Sequence, residues 1–332
     1  MKRLIIPSVK IFVSVFVLWF LAHTSKLDFS LLLNLLDSPS LLLAVFAIYF
    51  AGVIISAWRW YQLNKAQNIP LTFTRTIIPT YLGIAFNNIL PGSIGGDFFR
   101  CYFLFKKNPD KRSAAMLSIL FDRITGLMGI FIAVCLAASF HFQVFHSQSS
   151  TFYFMLFCIL LCASVVILYF ASSLLPQQIG VSVWLKKHCG EKKWVGSVLS
   201  LLEAIRIYRN SKTAIAKCLL ASVLVQILIA LNCLLIAKMM LFPAIPFYSY
   251  IIAIAVTQIV NLIPVTPGGF GIGEAAFANV LLLLNPGINA SYATIFLAYR
   301  ILGIFAYLPG IAVFIFDSTL LKQKPLSDNI AV

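Results

Sequence analysis

The chain of 332 residues is 61% hydrophobic and only 11% charged. Because so few charges could not cover a water-soluble fold of this length, the composition excludes a soluble protein and indicates an integral membrane protein. The formal net charge of +15 does not indicate nucleic-acid binding, because the basic residues flank apolar segments and do not interleave with exposed aromatic residues.

Six apolar segments are long enough to cross a hydrocarbon core about 30 Å thick, which takes roughly 20 helical residues. They cover residues 5–23, 41–60, 114–140, 152–175, 213–237 and 290–317. The first follows Met1-Lys2-Arg3, so a signal peptide is the alternative there. A retained helix is favoured because no clean small-residue cleavage site ends the segment.

Two further apolar stretches, residues 76–101 and 245–286, are each interrupted by proline and glycine. Basic residues flank both ends of the first stretch, whereas the second has almost none at either end. Because lysine and arginine concentrate on the cytoplasmic side, these patterns predict two re-entrant helical hairpins that enter from opposite faces. The basic loop 176–212 and both termini are then cytoplasmic.

The two broken stretches carry one motif twice. Residues 88–97 read Asn-Ile-Leu-Pro-Gly-Ser-Ile-Gly-Gly-Asp, and residues 261–274 read Asn-Leu-Ile-Pro-Val-Thr-Pro-Gly-Gly-Phe-Gly-Ile-Gly-Glu. Each terminal acid precedes an arginine at the same spacing, since 123 − 97 equals 300 − 274. The chain is therefore predicted to be a single all-α polytopic domain, 1–332, with inverted repeats at about 41–140 and 213–317.

Both arginines of the motif are predicted to lie at mid-depth in the membrane. Arg123 and Arg300 stand about ten residues inside their spans, or roughly 15 Å at 1.5 Å per residue. A charge there costs at least about 2.5–3.5 kcal/mol and requires a partner, for which Asp97 and Glu274 are the candidates. The predicted substrate-binding residues are Asn88, Asp97, Arg123, Asn261, Glu274 and Arg300.

The broken segments are predicted to form hairpin tips that line a cavity. Irregular backbone is tolerated at membrane depth only beside a cavity or inside the protein, and a half-helix that begins there directs free N–H groups at an anion. The predicted tip residues are Pro91, Gly92, Gly95, Gly96, Pro264, Pro267, Gly268, Gly269, Gly271 and Gly273. Tips, carboxylates and arginines are expected to meet near the centre of the protein.

Several residues have a competing structural interpretation. The two acid–arginine pairs could be buried bridges that fix helix register, and capping is as good an explanation for the asparagines as ligand contact. Arg100 is interpreted as a residue that snorkels to the interface, and Trp58-Arg59-Trp60 as an interface anchor. Asp122 is a second acid found in the first repeat only. Residues 196–209 suit either a membrane-surface helix or a solvated linker.

These motifs resemble the transmembrane domain of lysylphosphatidylglycerol synthases, a flippase-like membrane family. The resemblance rests on Asn88-x-Leu90-Pro91-Gly92-x-x-Gly95-Gly96-Asp97-x-x-Arg100, on Asp122-Arg123-x-x-Gly126 and on Pro267-Gly268-Gly269-x-Gly271-x-Gly273-Glu274. It implies a domain that moves a lipid between leaflets in the bacterial cytoplasmic (inner) membrane, without the soluble synthase domain. The basic residue usual before the second acid is replaced by Gly273.

The expected function is therefore a flippase for a phosphate-bearing lipid: a phospholipid, aminoacyl-phospholipid, glycolipid or polyprenyl phosphate. A membrane-embedded enzyme that modifies lipid headgroups, and a non-transporting partner of such an enzyme, are the alternatives. No nucleophile or nucleotide-binding motif predicts catalysis, and no cofactor or metal site is predicted. The expected partners are lipids with anionic headgroups; a homo-oligomer and a lipid-modifying partner enzyme are both compatible with the sequence.

Overall fold

The computed structural model describes residues 14–24, 27–89, 95–108, 111–139, 208, 211–262, 265–288 and 290–316. The regular elements of these ranges are all helical, which confirms the prediction of an all-α polytopic membrane protein. The predicted span 152–175, the start of the first span, almost all of the loop 176–212 and most of the segment 196–209 lie outside the described residues. So do Pro91, Gly92, Pro264 and the side chain of Asn88.

Nine helices are described in these ranges. They are α1 (Ser14–His23), α2 (Pro39–Ala66), α3 (Phe73–Ile89), α4 (Gly95–Lys107), α5 (Arg112–Ser139), α6 (Lys212–Met239), α7 (Phe247–Asn261), α8 (Ile272–Leu284) and α9 (Ala293–Phe316). Short 3-10 helices cover Ser30–Leu36 and Pro267–Gly269. The predicted spans 41–60, 114–140, 213–237 and 290–317 coincide with α2, α5, α6 and α9.

Within the described ranges, five helical segments are long and apolar enough to cross a membrane. Four of them belong to α2, α5, α6 and α9. The fifth, Pro267–Leu284, joins the 3-10 turn to α8, where the sequence predicts the second arm of a re-entrant hairpin. Each predicted hairpin contains two described helices, α3 and α4 in the first and α7 and α8 in the second, and their passage through the membrane remains a prediction.

The two halves repeat the same four-helix unit. One constant offset in numbering relates Asp97 to Glu274 and Arg123 to Arg300, since 274 − 97 equals 300 − 123. The same offset carries the ends of α4 onto the ends of α8, each 13 residues long. The helix pairs that touch within α2–α5 have counterparts within α6–α9. The contacts between the halves also come in equivalent pairs: α5 packs against α6, and the equivalent helices α9 and α2 pack against each other.

The equivalent helices α2 and α6 pack against each other in opposite directions. Arg59, in the last third of α2, donates a hydrogen bond of 2.9 Å to Ser222, in the first half of α6. The thiol of Cys218, one turn earlier in α6, lies 3.5 Å from the carbonyl oxygen of Arg59. The second half of α2 thus lies beside the first half of α6, an arrangement compatible with the predicted inverted repeat.

Glycine permits the tightest contacts in this packing. A Cβ atom on Gly96 would overlap the backbone carbonyl of Gly83, so α3 and α4 touch through their backbones. Gly129 of α5 lies similarly close to Ser222 of α6. Small residues permit such close approach of helices in membranes, and the contact of Gly129 with Ser222 joins the two halves.

Candidate functional site

A cavity of about 340 Å³ lies between the two halves of the protein. Its lining includes both motif arginines, Arg123 from α5 and Arg300 from α9, together with the amide side chains of Asn87, Asn232, Gln258 and Asn261. Side chains of α2 and α6, mainly apolar, complete the walls. Two cations and four amides therefore converge in a pocket whose walls are otherwise mainly apolar, as in small-molecule binding sites.

Arg300 is fixed from several directions in the second half. Its Nε atom lies 3.2 Å from Oε1 of Glu274, in an ion pair without good hydrogen-bond alignment. Its Nη1 atom donates to the carbonyl oxygen of Gly268 at 2.8 Å. The rings of Phe270 and Phe296 each lie 4.8 Å from the guanidinium carbon. Cation–π contacts of this kind stabilise a desolvated cation, so Arg300 stays in place while one edge reaches the cavity.

The glycine-rich turn before α8 provides the space in which Glu274 and Arg300 pair. Gly268, Gly269 and Gly271 have φ angles of 59°, 74° and 85°, a left-handed region that side chains other than glycine rarely adopt. The backbone N–H of Gly271 donates to Oε2 of Glu274 at 2.6 Å, which closes a capping interaction at the start of α8. A Cβ atom on Gly273 would stand 2.5 Å from Nη2 of Arg300.

The equivalent pair in the first half is more open. Nε of Arg123 donates to Oδ2 of Asp97 at 2.8 Å, but the Arg123 side chain is 43% exposed and that of Asp97 is 19% exposed. The corresponding values for Arg300 and Glu274 are 8% and 0%. Both pairs predicted by the repeated acid–arginine spacing therefore form, and their side chains differ strongly in exposed surface.

The tips approach the cavity from both halves. Gly268 lines the cavity directly, and the N–H of Gly96 donates to the side chain of Asn87 at 2.9 Å. Asn87, rather than its neighbour Asn88, is the described first-half asparagine at the cavity. The structure brings Arg123, Asn261 and Arg300 to the cavity itself. Asp97 and Glu274 stand behind their arginines and do not belong to its lining.

A third charge cluster lies beside the cavity, and the sequence analysis did not identify it. The two carboxylate oxygens of Asp122 bind Nε of Arg59 at 2.7 Å and Nη1 of Arg100 at 2.8 Å. All three side chains are largely buried, with exposed fractions of 12% for Arg59, 7% for Arg100 and 4% for Asp122. Arg100 also lies over the ring of Trp60, with its guanidinium carbon 5.0 Å from the ring centre.

This cluster corrects two interpretations from the sequence. Arg100 is not a snorkelling interface residue, because it is buried and paired with Asp122. Arg59 and Trp60 do not anchor the protein at an interface, because Trp60 is fully buried and Arg59 points at Asp122. Asp122 is the reason for both corrections, because its carboxylate binds an arginine from each of two other helices, α2 and α4.

The second half lacks these three charges at its equivalent positions, all of which the structure describes. The offset that relates the halves after the tips places Phe277 and Tyr299 where the first half has Arg100 and Asp122. The tip motif is longer in the second half, since 274 − 261 exceeds 97 − 88 by four, and α2 and α6, each 28 residues long, align end to end, so Asn232 takes the place of Arg59. These three side chains are uncharged, and the rings of Phe277 and Tyr299 both stack on Phe296. The simultaneous loss of three charges at equivalent positions is the sequence signal that identifies the cluster.

The chemistry available in the cavity is the binding of an oxyanion. Two guanidinium groups can each donate two parallel hydrogen bonds to phosphate oxygens, and the amides can donate or accept. Within the described ranges, no group of three or more His, Cys, Asp or Glu side chains could hold a metal ion. The residues present thus suit an anionic headgroup held by electrostatics and hydrogen bonds.

Comparison with known proteins identifies relatives. Residues 8–310 match the family described as the lysylphosphatidylglycerol synthase TM region. A UPF0104 membrane protein of Pyrococcus horikoshii is 30% identical over 103 residues, which is 30% of each chain. A UPF0104 membrane protein of Methanocaldococcus jannaschii is 20% identical over 250 residues, 71% of this chain and 73% of the relative.

Proposed function

The chain belongs to the lysylphosphatidylglycerol synthase TM region family, and from that membership and the cavity we propose that it moves a phosphate-bearing lipid between membrane leaflets. In this proposal the phosphate group enters the cavity between the two halves, while the acyl chains remain in the surrounding lipid. The protein lies in the cytoplasmic membrane with both termini in the cytoplasm, and the segments α3–α4 and α7–α8 are re-entrant hairpins from opposite faces.

One observation carries the proposal. Equivalent arginines of two inverted halves, Arg123 and Arg300, line the same cavity, and each is attached to a carboxylate of its own half. Transporters built from inverted repeats bind their substrate near the bilayer midplane, at the interface of the repeats, beside broken helices. Arginine suits phosphate there because it stays charged when it loses water and binds two oxygens at once.

The two arginines are suited to different steps of lipid transport. Arg300 is held by Gly268 and two aromatic rings as well as by Glu274, so it offers a fixed point for the phosphate. Arg123 has an exposed side chain with Asp97 as its partner, so it can meet a headgroup from the open side of the cavity. A phosphate that binds both arginines competes with both carboxylates, and its release restores the ion pairs.

The test is lipid exchange between leaflets in liposomes that contain the purified full chain. We expect Arg123→Gln and Arg300→Gln each to slow exchange of a phosphate-bearing lipid about 10- to 100-fold, since a hydrogen bond to a charged group contributes about 1.5–3 kcal/mol. The matched control is Arg112→Gln, an exposed arginine at the start of the same helix as Arg123 and outside the cavity lining, and it should retain the wild-type rate.

A folding defect is separated from a binding defect by a second variant. Arg300→Gln leaves Glu274 buried without its cation, whereas the double variant Glu274→Gln/Arg300→Gln removes both charges and leaves no buried carboxylate without a partner. Loss of exchange in the folded double variant supports the proposal. Wild-type exchange in folded Arg123→Gln and Arg300→Gln contradicts it. Absence of exchange by the wild-type protein for any phosphate-bearing lipid contradicts it too and favours a headgroup-modifying enzyme or a partner of one.

A further inference from the structure

The charges beside the cavity do not balance. Among the described residues, four ion pairs are formed there by seven side chains. Those side chains are Arg59, Arg100, Arg123, Arg300, Asp97, Asp122 and Glu274. Four arginines and three carboxylates leave one surplus positive charge.

The surplus belongs to the first half of the protein. Glu274 and Arg300 neutralise each other in the second half, and Asp97 and Arg123 do so in the first. Asp122 divides its two oxygens between two arginines, so among the residues that the structure describes one guanidinium charge has no carboxylate of its own. Neutral groups complete the shell: the hydroxyl of Ser222 accepts a hydrogen bond from Arg59, and the ring of Trp60 lies under Arg100.

The surplus charge stands next to the cavity. Asp122 directly precedes Arg123, which lines the cavity, and Arg59 lies one helical turn beyond Ser56, another lining residue. Nε of Arg100 is buried and has no hydrogen-bond partner. An unbalanced charge inside a membrane protein is costly and faces a cavity or a counter-charge. Because the equivalent positions of the second half, Asn232, Phe277 and Tyr299, are uncharged, the surplus charge is a feature of the first half among the described residues.

Resting on the proposed function, we infer that the transported headgroup carries one net negative charge, as a phosphodiester with otherwise uncharged substituents does. Such a headgroup neutralises the cavity and its surroundings when it binds. A zwitterionic phospholipid leaves the surplus in place, and an aminoacylated phospholipid with a net positive charge increases it. A phosphomonoester carries about −1.5 to −2 charges at neutral pH, so its binding would give the cavity and its surroundings a net negative charge.

The experiment measures leaflet exchange of four labelled lipids by the same reconstituted wild-type chain. The lipids are phosphatidylglycerol, phosphatidylcholine, lysyl-phosphatidylglycerol and a polyprenyl monophosphate, with net charges of about −1, 0, +1 and −2. We expect phosphatidylglycerol to exchange about tenfold faster than the others, the order of effect for one unit charge in an interior with an effective dielectric constant of about 20.

Charge variants test the cause of this preference. Arg59→Gln and Arg100→Gln each remove the surplus from a different helix and leave Asp122 paired with the other arginine. Each should lower the preference for phosphatidylglycerol over phosphatidylcholine to about twofold or less, since the net electrostatic difference vanishes. Arg59→Lys keeps the charge and should keep the preference. Arg75→Gln removes an exposed positive charge and should leave the preference unchanged.

The outcomes separate this inference from the proposed function. If no lipid exchanges, the proposed function fails. If lipids exchange but wild type moves phosphatidylcholine, the lysyl lipid or the monophosphate as fast as phosphatidylglycerol, the proposed function survives and the inference on charge is overturned. A preference that persists unchanged in folded Arg59→Gln or Arg100→Gln also overturns it. Should both variants fail to fold, the wild-type comparison alone decides.

Discussion

Replacement of Asp122 by asparagine tests whether the three-residue cluster beside the cavity holds the first half together. The change keeps the size of the side chain and removes the only negative charge between Arg59 and Arg100 in the described cluster. Both cations would then face each other in a site where the Asp122 side chain is 4% exposed. We expect Asp122→Asn to be the most destabilising single replacement among the three carboxylates with an arginine partner.

The magnitude follows from the two contacts that are lost. Asp122 accepts hydrogen bonds of 2.7 and 2.8 Å from two guanidinium groups. Each bond to a charged group contributes about 1.5–3 kcal/mol, so two such bonds give about 3–6 kcal/mol. Removal of one partner from a buried ion pair costs about 3–5 kcal/mol in other proteins. The two ranges overlap, and we expect Asp122→Asn to lower the free energy of unfolding by about 4 kcal/mol.

Asp97→Asn is the matched control, because it breaks an ion pair of the same length between the same residue types. Its partner Arg123 is 43% exposed, and exposed pairs contribute about 0–1 kcal/mol. The assay is unfolding of the purified proteins by denaturant in mixed micelles, followed by helix content. The reasoning is refuted if the losses in free energy of unfolding caused by Asp122→Asn and Asp97→Asn differ by less than about 1 kcal/mol, which is the range of an exposed pair.

Three further predictions concern packing and the second half. Gly96→Ala should reduce the yield of folded protein sharply, because its Cβ would overlap the carbonyl of Gly83; size-exclusion chromatography checks this. Arg300→Lys should slow lipid exchange despite the retained charge, because lysine cannot reproduce the bond to Gly268 at 2.8 Å and the paired donors of arginine. Gln226→Leu should destabilise by about 0.5–1.5 kcal/mol, the net contribution of one hydrogen bond, because it removes the partner that lies 2.7 Å from the Gln258 amide, and unfolding measurements check this.

The hydrophobic pattern was sufficient to locate the described spans. The predicted segment 114–140 corresponds to Arg112–Ser139, and 213–237 to Lys212–Met239. Such segments are readable from sequence because a membrane helix must satisfy its backbone internally and present apolar side chains over a fixed length. The equal acid–arginine spacing in the two repeats also predicted two ion pairs correctly, since duplicated units place equivalent residues in equivalent contacts.

The cluster around Asp122 was missed for a geometric reason. Adjacent helical residues point about 100° apart, because a turn holds about 3.6 residues, so Asp122 and Arg123 serve different faces of α5. Arg59 between two tryptophans has the composition of an interface anchor, and only tertiary packing turns it inward. Comparison of the halves at Asn232, Phe277 and Tyr299 would have revealed the cluster, because the loss of three charges at equivalent positions indicates that those charges contact each other.

Under the proposed function, the difference between the halves bears on how a single cavity reaches two leaflets. A perfectly symmetric inverted repeat would bury its two arginines equally, whereas here one side chain is 43% exposed and the other 8%. In transporters built from inverted repeats, one repeat rocks against the other around a fixed site, so we expect a second state in which Arg300 is the more exposed arginine. The ion pairs of Asp122 with Arg59 and Arg100 join α2, α4 and α5, whereas the equivalent positions of the second half are uncharged. Because the second half lacks these ion pairs, we expect movement around the site to occur mainly in α7 and α8.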